Sequence, residues 1–278
     1  MINIITDSTA DIPKVLCESY GIETIPMYIQ LNGSVYKDGE DIYLEMLFET
    51  VRSTGQYPTT SAPSPGDFIK YFDRDSSSIY IGVSSKLSTT FRNAQLAVKE
   101  IGNHHRIELI DPLSISTGYG QVVLQAAKWR NAGMGFEELS CRIREWVNQT
   151  RGFFILDTLD YIYHGGWCSA IEHFFSSLLK INPFLEMRSD GTLGVLQKIR
   201  RSCEKAINAL PSHFLDQVKK YSIPEIYLTH LDCSEEAQYI TKKIEAMGKP
   251  IHINHAKVGC VLATYSGLKP IGIAYYIE

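Results

Sequence analysis

Two clusters of uncharged hydroxyl side chains carry the chemistry most visible in this sequence. The stretch YPTTSAPS (57 to 64) places Thr59, Thr60, Ser61 and Ser64 with a tyrosine among prolines, and SSKLSTT (84 to 90) gathers more hydroxyls ahead of a helical pattern. A carboxylate only accepts hydrogen bonds, so Ser and Thr hydroxyls with backbone N–H groups at a helix start can satisfy one without a cation. Ser88, Thr89 and Thr90 serve equally well as N-cap residues, and Thr59, Thr60 and Ser61 as turn formers stiffened by proline. A shared acidic ligand accounts for both clusters at once, where the local readings need two coincidences.

Other chemistries find less support. There is no G-x-x-x-x-G-K-[ST], and GYG at 118 to 120 lacks the third glycine of a dinucleotide fingerprint. Ser177 and Lys180 fit S-x-x-K but stand in an amphipathic run without the companion motifs of a serine acylase. The eight histidines form no H-x-x-x-H and the six cysteines no C-x-x-C, which argues against a metal site or a redox pair. Arg200-Arg201 opens a helical segment and reads by itself as a solvated pair.

The formal charge of -4, with no Lys/Arg run longer than two, offers no footprint for a nucleic-acid backbone. No apolar stretch approaches the ~20 residues that span a bilayer, and the start MINIITDSTAD has no basic, then apolar leader pattern. A cytoplasmic protein is expected. With 44% apolar residues in 278, the chain has the means to bury a sizeable core.

The elements that must position the hydroxyls follow from periodicity. INIIT (2 to 6) reads as a strand, and Asp7, Ser8 or Asp11 is expected to cap a helix started by Pro13 and ended by Gly21. ETIPMYIQL (23 to 31) reads as one extended run, with a hairpin turn at Asn32-Gly33. Helices are expected at 43 to 53, at 66 to 73, after 90 (Phe91, Ala94, Val98, Ile101) and at 118 to 132, with strands at 78 to 83 and 107 to 111. Such alternation predicts a mostly parallel sheet, whose ligands sit at the carboxyl ends of the strands, where 7 to 11, 84 to 90 and 111 to 120 emerge.

The second half predicts extended runs at 153 to 159, 181 to 187 and 192 to 198, the last two turning at Ser189-Asp190-Gly191. Helices at 200 to 219 and 234 to 247 and strands at 225 to 231, near 250 and near 271 complete it. The expected organisation is an α/β N-terminal domain, residues 1 to 150, and an α+β C-terminal domain, residues 151 to 278.

With those segments in view, the chain resembles the DegV family of bacterial fatty-acid-binding proteins over nearly its whole length. The resemblance lies in IITDSTADIP, PTTSAPS, SSKLSTTFRNA, LIDPLSISTGYG, FFILDTLDYIYHGGW and GCVLATYSGLKPIGIAY, in that order. It implies a parallel α/β domain and a C-terminal domain with a largely antiparallel sheet, a lipid tunnel between them, and no catalytic step. It further implies a fatty acid handed to a partner fatty acid kinase.

Residue by residue, the family's carboxylate-binding threonine matches Thr60 with Ser61 beside it, and its serine matches Ser88 with Thr89 beside it. Its arginine matches Arg200, with Arg201 the adjacent alternative, and its histidine falls on Tyr265. Tyrosine can donate to a carboxylate, but its pKa near 10 suits it poorly to proton exchange at neutral pH. Trp167 and Asn182 stand where the family carries basic residues, which puts kinase docking or the head group in question.

A buried chain of roughly sixteen carbons gains on the order of 10 kcal/mol at about 0.8 kcal/mol per methylene, before association costs. Hydroxyl contacts at roughly 1 to 3 kcal/mol each then fix which end is which. Two alternatives stay open: a carrier of another amphiphile, and a hydrolase with Ser88 as nucleophile.

Overall fold

The computed structural model describes residues 2–102, 104–165, 181–200 and 203–277, with Arg200 described by its backbone alone. In the first half, β1 (Ile2–Asp7), α1 (Lys14–Tyr20), β2 (Ile22–Ile25), β3 (Tyr28–Leu31), β4 (Ser34–Lys37), α2 (Leu44–Thr54), β5 (Thr59–Ser61) and α3 (Pro65–Phe72) follow in order. After them come β6 (Ser77–Ile81), α4 (Thr90–Ile101), β7 (Ile107–Ile110), α5 (Thr117–Asn131) and α6 (Phe136–Gln149). Strands β2-β1-β6-β7 make a four-stranded parallel sheet in that order.

Both faces of this sheet are covered, which is why its strands are continuous apolar runs rather than alternating ones. Ile4, Ile79 and Ile81 pack with Tyr119, Val122 and Val123 of α5 and Leu139 and Ile143 of α6. Their neighbours Ile5 and Tyr80 face the other way, onto Phe68 and Phe72 of α3 and Ala94 and Val98 of α4.

The extended run expected over 23 to 31 is two strands. Pro26 has no N–H to give to a ladder, and the chain leaves the parallel sheet after Ile25 to form an antiparallel sheet of order β4-β3-β5. The Asn32-Gly33 turn is where the sequence places it, with φ of 49° and 78°, the left-handed pair that a two-residue hairpin requires. YPTTSAPS is not wholly loop: Thr59–Ser61 pairs with β3, Thr60 opposite Ile29. Strand alternation then turns Thr60 inward, half-buried, while Thr59 and Ser61 are exposed.

The second half builds a six-stranded sheet of order β10-β9-β8-β13-β11-β12. Its strands are β8 (Thr150–Ile155), β9 (Ile181–Met187), β10 (Leu193–Arg200), β11 (Glu225–His230), β12 (His252–Lys257) and β13 (Ile271–Tyr276). Only β11 and β12 run parallel, joined by α9 (Ser234–Glu245), so the sheet is largely antiparallel as the family resemblance implied. The β9–β10 hairpin turns at Ser189-Asp190-Gly191, where Gly191 has φ +83° and the Arg188 N–H donates to the Thr192 carbonyl at 2.9 Å.

Helix α8 (Cys203–Val218) covers one face with α9 through Leu210, Phe214, Ile240 and Ile244. The extended run expected over 153 to 159 stops at Ile155 and gives way to the short helix α7 (Asp160–His164).

One second-half element leaves this lobe. Helix α10 (Cys260–Ser266) packs among α2, β3 and β5, and every residue from Cys260 to Tyr265 is buried. Its Val261, Leu262, Ala263 and Tyr265 share one apolar cluster with Met27, Ile29, Leu47 and Phe48 of the first half and Leu159 and Tyr161 near α7.

Candidate functional site

The carboxyl ends of β1 and β6 and the start of α5 meet around Asp7, which is fully buried. Its carboxylate accepts from Tyr80 Oη at 2.8 Å, Tyr119 Oη at 2.8 Å, the Val83 N–H at 2.9 Å and the Thr9 N–H at 3.1 Å, and from the Thr9 hydroxyl. The sequence offers Asp7, Ser8 or Asp11 as a cap for α1; Asp7 caps the turn Ser8–Ala10 instead, and α1 has Pro13 at its N-cap position with no side-chain cap. Donors from β6 and its exit, from the turn after β1 and from the first turn of α5 make Asp7 the knot that fixes these segments.

Across the seam between the lobes, the Ser114–Gly118 loop faces β8 and β13 over a cavity of about 700 Å³ of atom-free space, part of it open to solvent. Phe154, Leu156, Ile162, Leu193, Leu262 and Ile273 give it an apolar lining. Thr117 and Thr229 hydroxyls meet at 2.6 Å across the same seam. Tyr265 borders the cavity, and its hydroxyl hydrogen-bonds the Thr60 hydroxyl from the other half of the chain. Gly165 is required beside it: an added Cβ would lie 2.7 Å from Tyr265 Cδ1 and 2.9 Å from the Tyr161 carbonyl oxygen.

The other expected site residues are placed as follows. Ser88 Oγ lies 2.7 Å from Thr90 Oγ1 and accepts the Thr90 N–H at 3.2 Å, so it acts locally at the start of α4. Thr90 Oγ1 in turn approaches Met27 Sδ at 3.5 Å, in the cluster that holds Tyr265. Asn93 Nδ2 donates to the Pro63 carbonyl at 2.8 Å, tying α4 to the segment after β5. Thr89 and Ser61 are exposed, and neither they, Thr60 nor Ser88 is among the described residues lining the cavity.

Arg200 is the last residue of β10, opposite Ile181. Arg201, Trp167, Ser177 and Lys180 lie outside the described residues. Asn182 has a structural role, its Nδ2 donating to the Asp157 carbonyl at 3.0 Å and the Leu156 carbonyl at 3.3 Å.

Sequence reading overlooked a pair of carboxyls at the amino end of α10. Asp11 accepts the Gly259 N–H at 2.9 Å, and Asp38 accepts from the Cys260 and Val261 N–H groups and from Ser8. Burial outweighs these bonds and pushes Asp11 up to about 7 and Asp38 up to about 6. The only signal for Asp11 was IITDSTADIP itself, whose aspartates read equally well as caps, and Asp38 stands outside that motif, just after β4.

Fold and cavity together define a two-lobed α/β protein with an apolar chamber at the interlobe seam. The model described as "Uncharacterised protein, DegV family" matches residues 1–278, and the chain belongs to the DegV family. A DegV domain-containing protein of Caldanaerobacter subterraneus is 32% identical, over 99% of this chain and 98% of its own. Among solved structures, a DegV family protein from Thermus thermophilus, titled for fatty acid binding, superposes with a TM-score of 0.89 at 26% identity, covering 100% of this chain and 99% of that one. The Streptococcus pneumoniae Fatty Acid Kinase (Fak) B3 protein, loaded with linoleic acid, has a TM-score of 0.87 at 22% identity with full coverage of both chains.

Proposed function

We propose that the protein binds a long-chain fatty acid, its tail in the interlobe cavity and its carboxylate at the Thr60–Tyr265 pair, and presents that carboxylate to a partner fatty acid kinase. The observation that carries this reading is the apolar cavity bordered by Tyr265, whose hydroxyl meets Thr60. The fatty acid binding of the Thermus relative supports it. Ser88, Ser61, Thr89 and Arg200 complete the head-group end in this reading, with working lobes of residues 1 to 150 and 151 to 278 and a cytoplasmic location. Among the described residues no helix is long and apolar enough to cross a membrane.

The pneumococcal neighbour's name pairs this fold with a fatty acid kinase, and at 22% identity that likeness carries the fold alone. The kinase step is therefore put to a direct test: phosphorylation of protein-bound fatty acid by a kinase of that class. The carrier supplies no catalytic step in this scheme. The hydrogen bonds of Ser88 run to Thr90, with no imidazole among its described partners, which disfavours a hydrolase. Mass spectrometry of lipid extracted from gently purified protein tests the core of the reading. Co-purified fatty acid is expected, and extracts free of any lipid would overturn it.

A further inference from the structure

Asp11 stands in the left-handed backbone region, φ 51° and ψ 33°, which is uncommon for a residue other than glycine. Its two oxygens point into different parts of the molecule. Ser116 Oγ donates to Oδ2 at 2.5 Å, and the Gly259 N–H donates to Oδ1 at 2.9 Å. Ser116 is itself at φ 54° and ψ −146°, a costly backbone for serine, and it lines the acyl cavity. Gly259 gives the carboxyl room, because an added Cβ would lie 2.9 Å from Asp11 Oδ1 and push that side chain off its bond. Backbone strain on one side and a close approach on the other converge on one carboxyl.

Resting on the carrier reading, we propose that Asp11 is a positioning residue for the head-group end, acting through α10. By bridging the Ser114–Gly118 loop and Gly259, it holds the helix that carries Tyr265 to Thr60 while leaving that helix poised to move. The same carboxyl thus joins the wall of the tail chamber to the support of the head-group tyrosine.

The carboxyl is expensive where it stands. Its upward shift to about 7, driven by burial and then by Asp38 and Asp7, means that the closed seam favours the protonated form. Ionisation gains hydration only if the seam loosens, so the ionised form favours opening and the neutral form closure. For stability alone, a neutral group of the same shape would serve better.

Other groups face Asp11. Asp7 and Asp38 repel it from the first lobe, and the Cys260 thiol approaches from α10. Across a second cleft that Asp11 borders stand Lys128 of α5, Glu225 of β11, and His252 and His255 of β12. Because two histidines and a second buried aspartate stand nearby, the comparison of wild type with Asp11→Asn is what isolates Asp11.

The test measures release of an anthroyloxy-labelled stearic acid from the full chain into phosphatidylcholine vesicles between about pH 5.5 and about pH 8. Wild-type release is expected to quicken severalfold as pH rises. Asp11→Asn keeps the shape and can keep both contacts, so its release is expected to stay slow and flat with pH. A wild-type profile retained in Asp11→Asn would assign it to Asp38 or the histidines and overturn the proposal.

A second arm uses ligand-free protein. Amide hydrogen exchange over residues 260 to 266 is expected to be at least about tenfold faster in Asp11→Ala, which loses the bonds to Ser116 and Gly259. Wild-type exchange rates there in Asp11→Ala would overturn the proposal. A wild-type chain that takes up no labelled acid sinks the carrier reading, and the exchange arm still decides the role of Asp11.

Discussion

The Tyr265 and Thr60 hydroxyls, 205 positions apart in sequence, meet in a hydrogen bond that joins helix α10 to strand β5. Two uncharged alcohols held together at the edge of an apolar chamber can turn toward an incoming carboxylate without a cation to neutralise. Tyr265→Phe and Thr60→Val should each weaken binding of a fluorescent fatty acid by about tenfold, the worth of one bond to a charged acceptor. Unchanged titration curves in both variants would remove the pair from the head-group site.

Gly165→Ala is expected to disturb the same pair from behind. The new methyl meets the Tyr265 ring at 2.7 Å and a backbone oxygen at 2.9 Å, neither of which yields without moving α10 or the end of α7. A loss of about 1–3 kcal/mol in urea unfolding should accompany weaker fatty-acid binding. Full stability with full binding would show that the ring moves aside freely.

Asp7 tests the knot beneath the loops. Asp7→Ala leaves the buried Tyr80 and Tyr119 hydroxyls and the Val83 N–H without their acceptor. The expected loss is about 3 kcal/mol or more in denaturant unfolding, since each orphaned buried donor costs about 1–3 kcal/mol. A change under about 1 kcal/mol would mean that water or neighbours replace the carboxylate readily.

The pH dependence of stability has two opposing limbs. Asp11 is raised to about 7 and Asp38 to about 6, both chiefly by burial, so the folded chain binds these protons more tightly than the unfolded chain. Their contribution is full below about pH 4 and is lost as pH rises toward 7.

Asp67 goes the other way: burial alone would raise it, but Lys70 and Ser64 outweigh burial and hold it at about 2. Its contribution is present above about pH 4 and fades as pH falls toward 2. Asp11→Asn should therefore raise the melting temperature at about pH 8 and leave it nearly unchanged at about pH 4. An equal shift at both values would contradict the sign.

Local chemistry made much of the fold legible. Asn32-Gly33 and Ser189-Asp190-Gly191 turn where the sequence places them because Asn32, Gly33 and Gly191 accept left-handed φ values, and Phe91, Ala94, Val98 and Ile101 mark one side of α4. Helices α6, α7 and α10 escaped, the first and last of them for opposite reasons. Helix α6 is amphipathic, with Leu139, Ile143 and Val147 at helical spacing, and was passed over between two clearer segments. Helix α10 is buried from Cys260 to Tyr265, so its sequence carries no polar face from which a period could be read.

Of the site, the hydroxyl clusters were visible by composition, but composition could not separate Thr60, which meets Tyr265, from Ser88, which serves its own turn. That distinction depends on a contact across most of the chain. Nor could residue types alone show that Asp11 spans a seam, since an aspartate before a helix reads first as a cap.

The placement of α10 bears on how the protein is made. Met27, Ile29, Leu47 and Phe48 emerge from the ribosome long before the helix that covers them with Val261, Leu262 and Tyr265. The nascent first lobe therefore waits with a greasy face uncovered, so chaperone capture and premature pairing between chains act on it before the closing helix arrives.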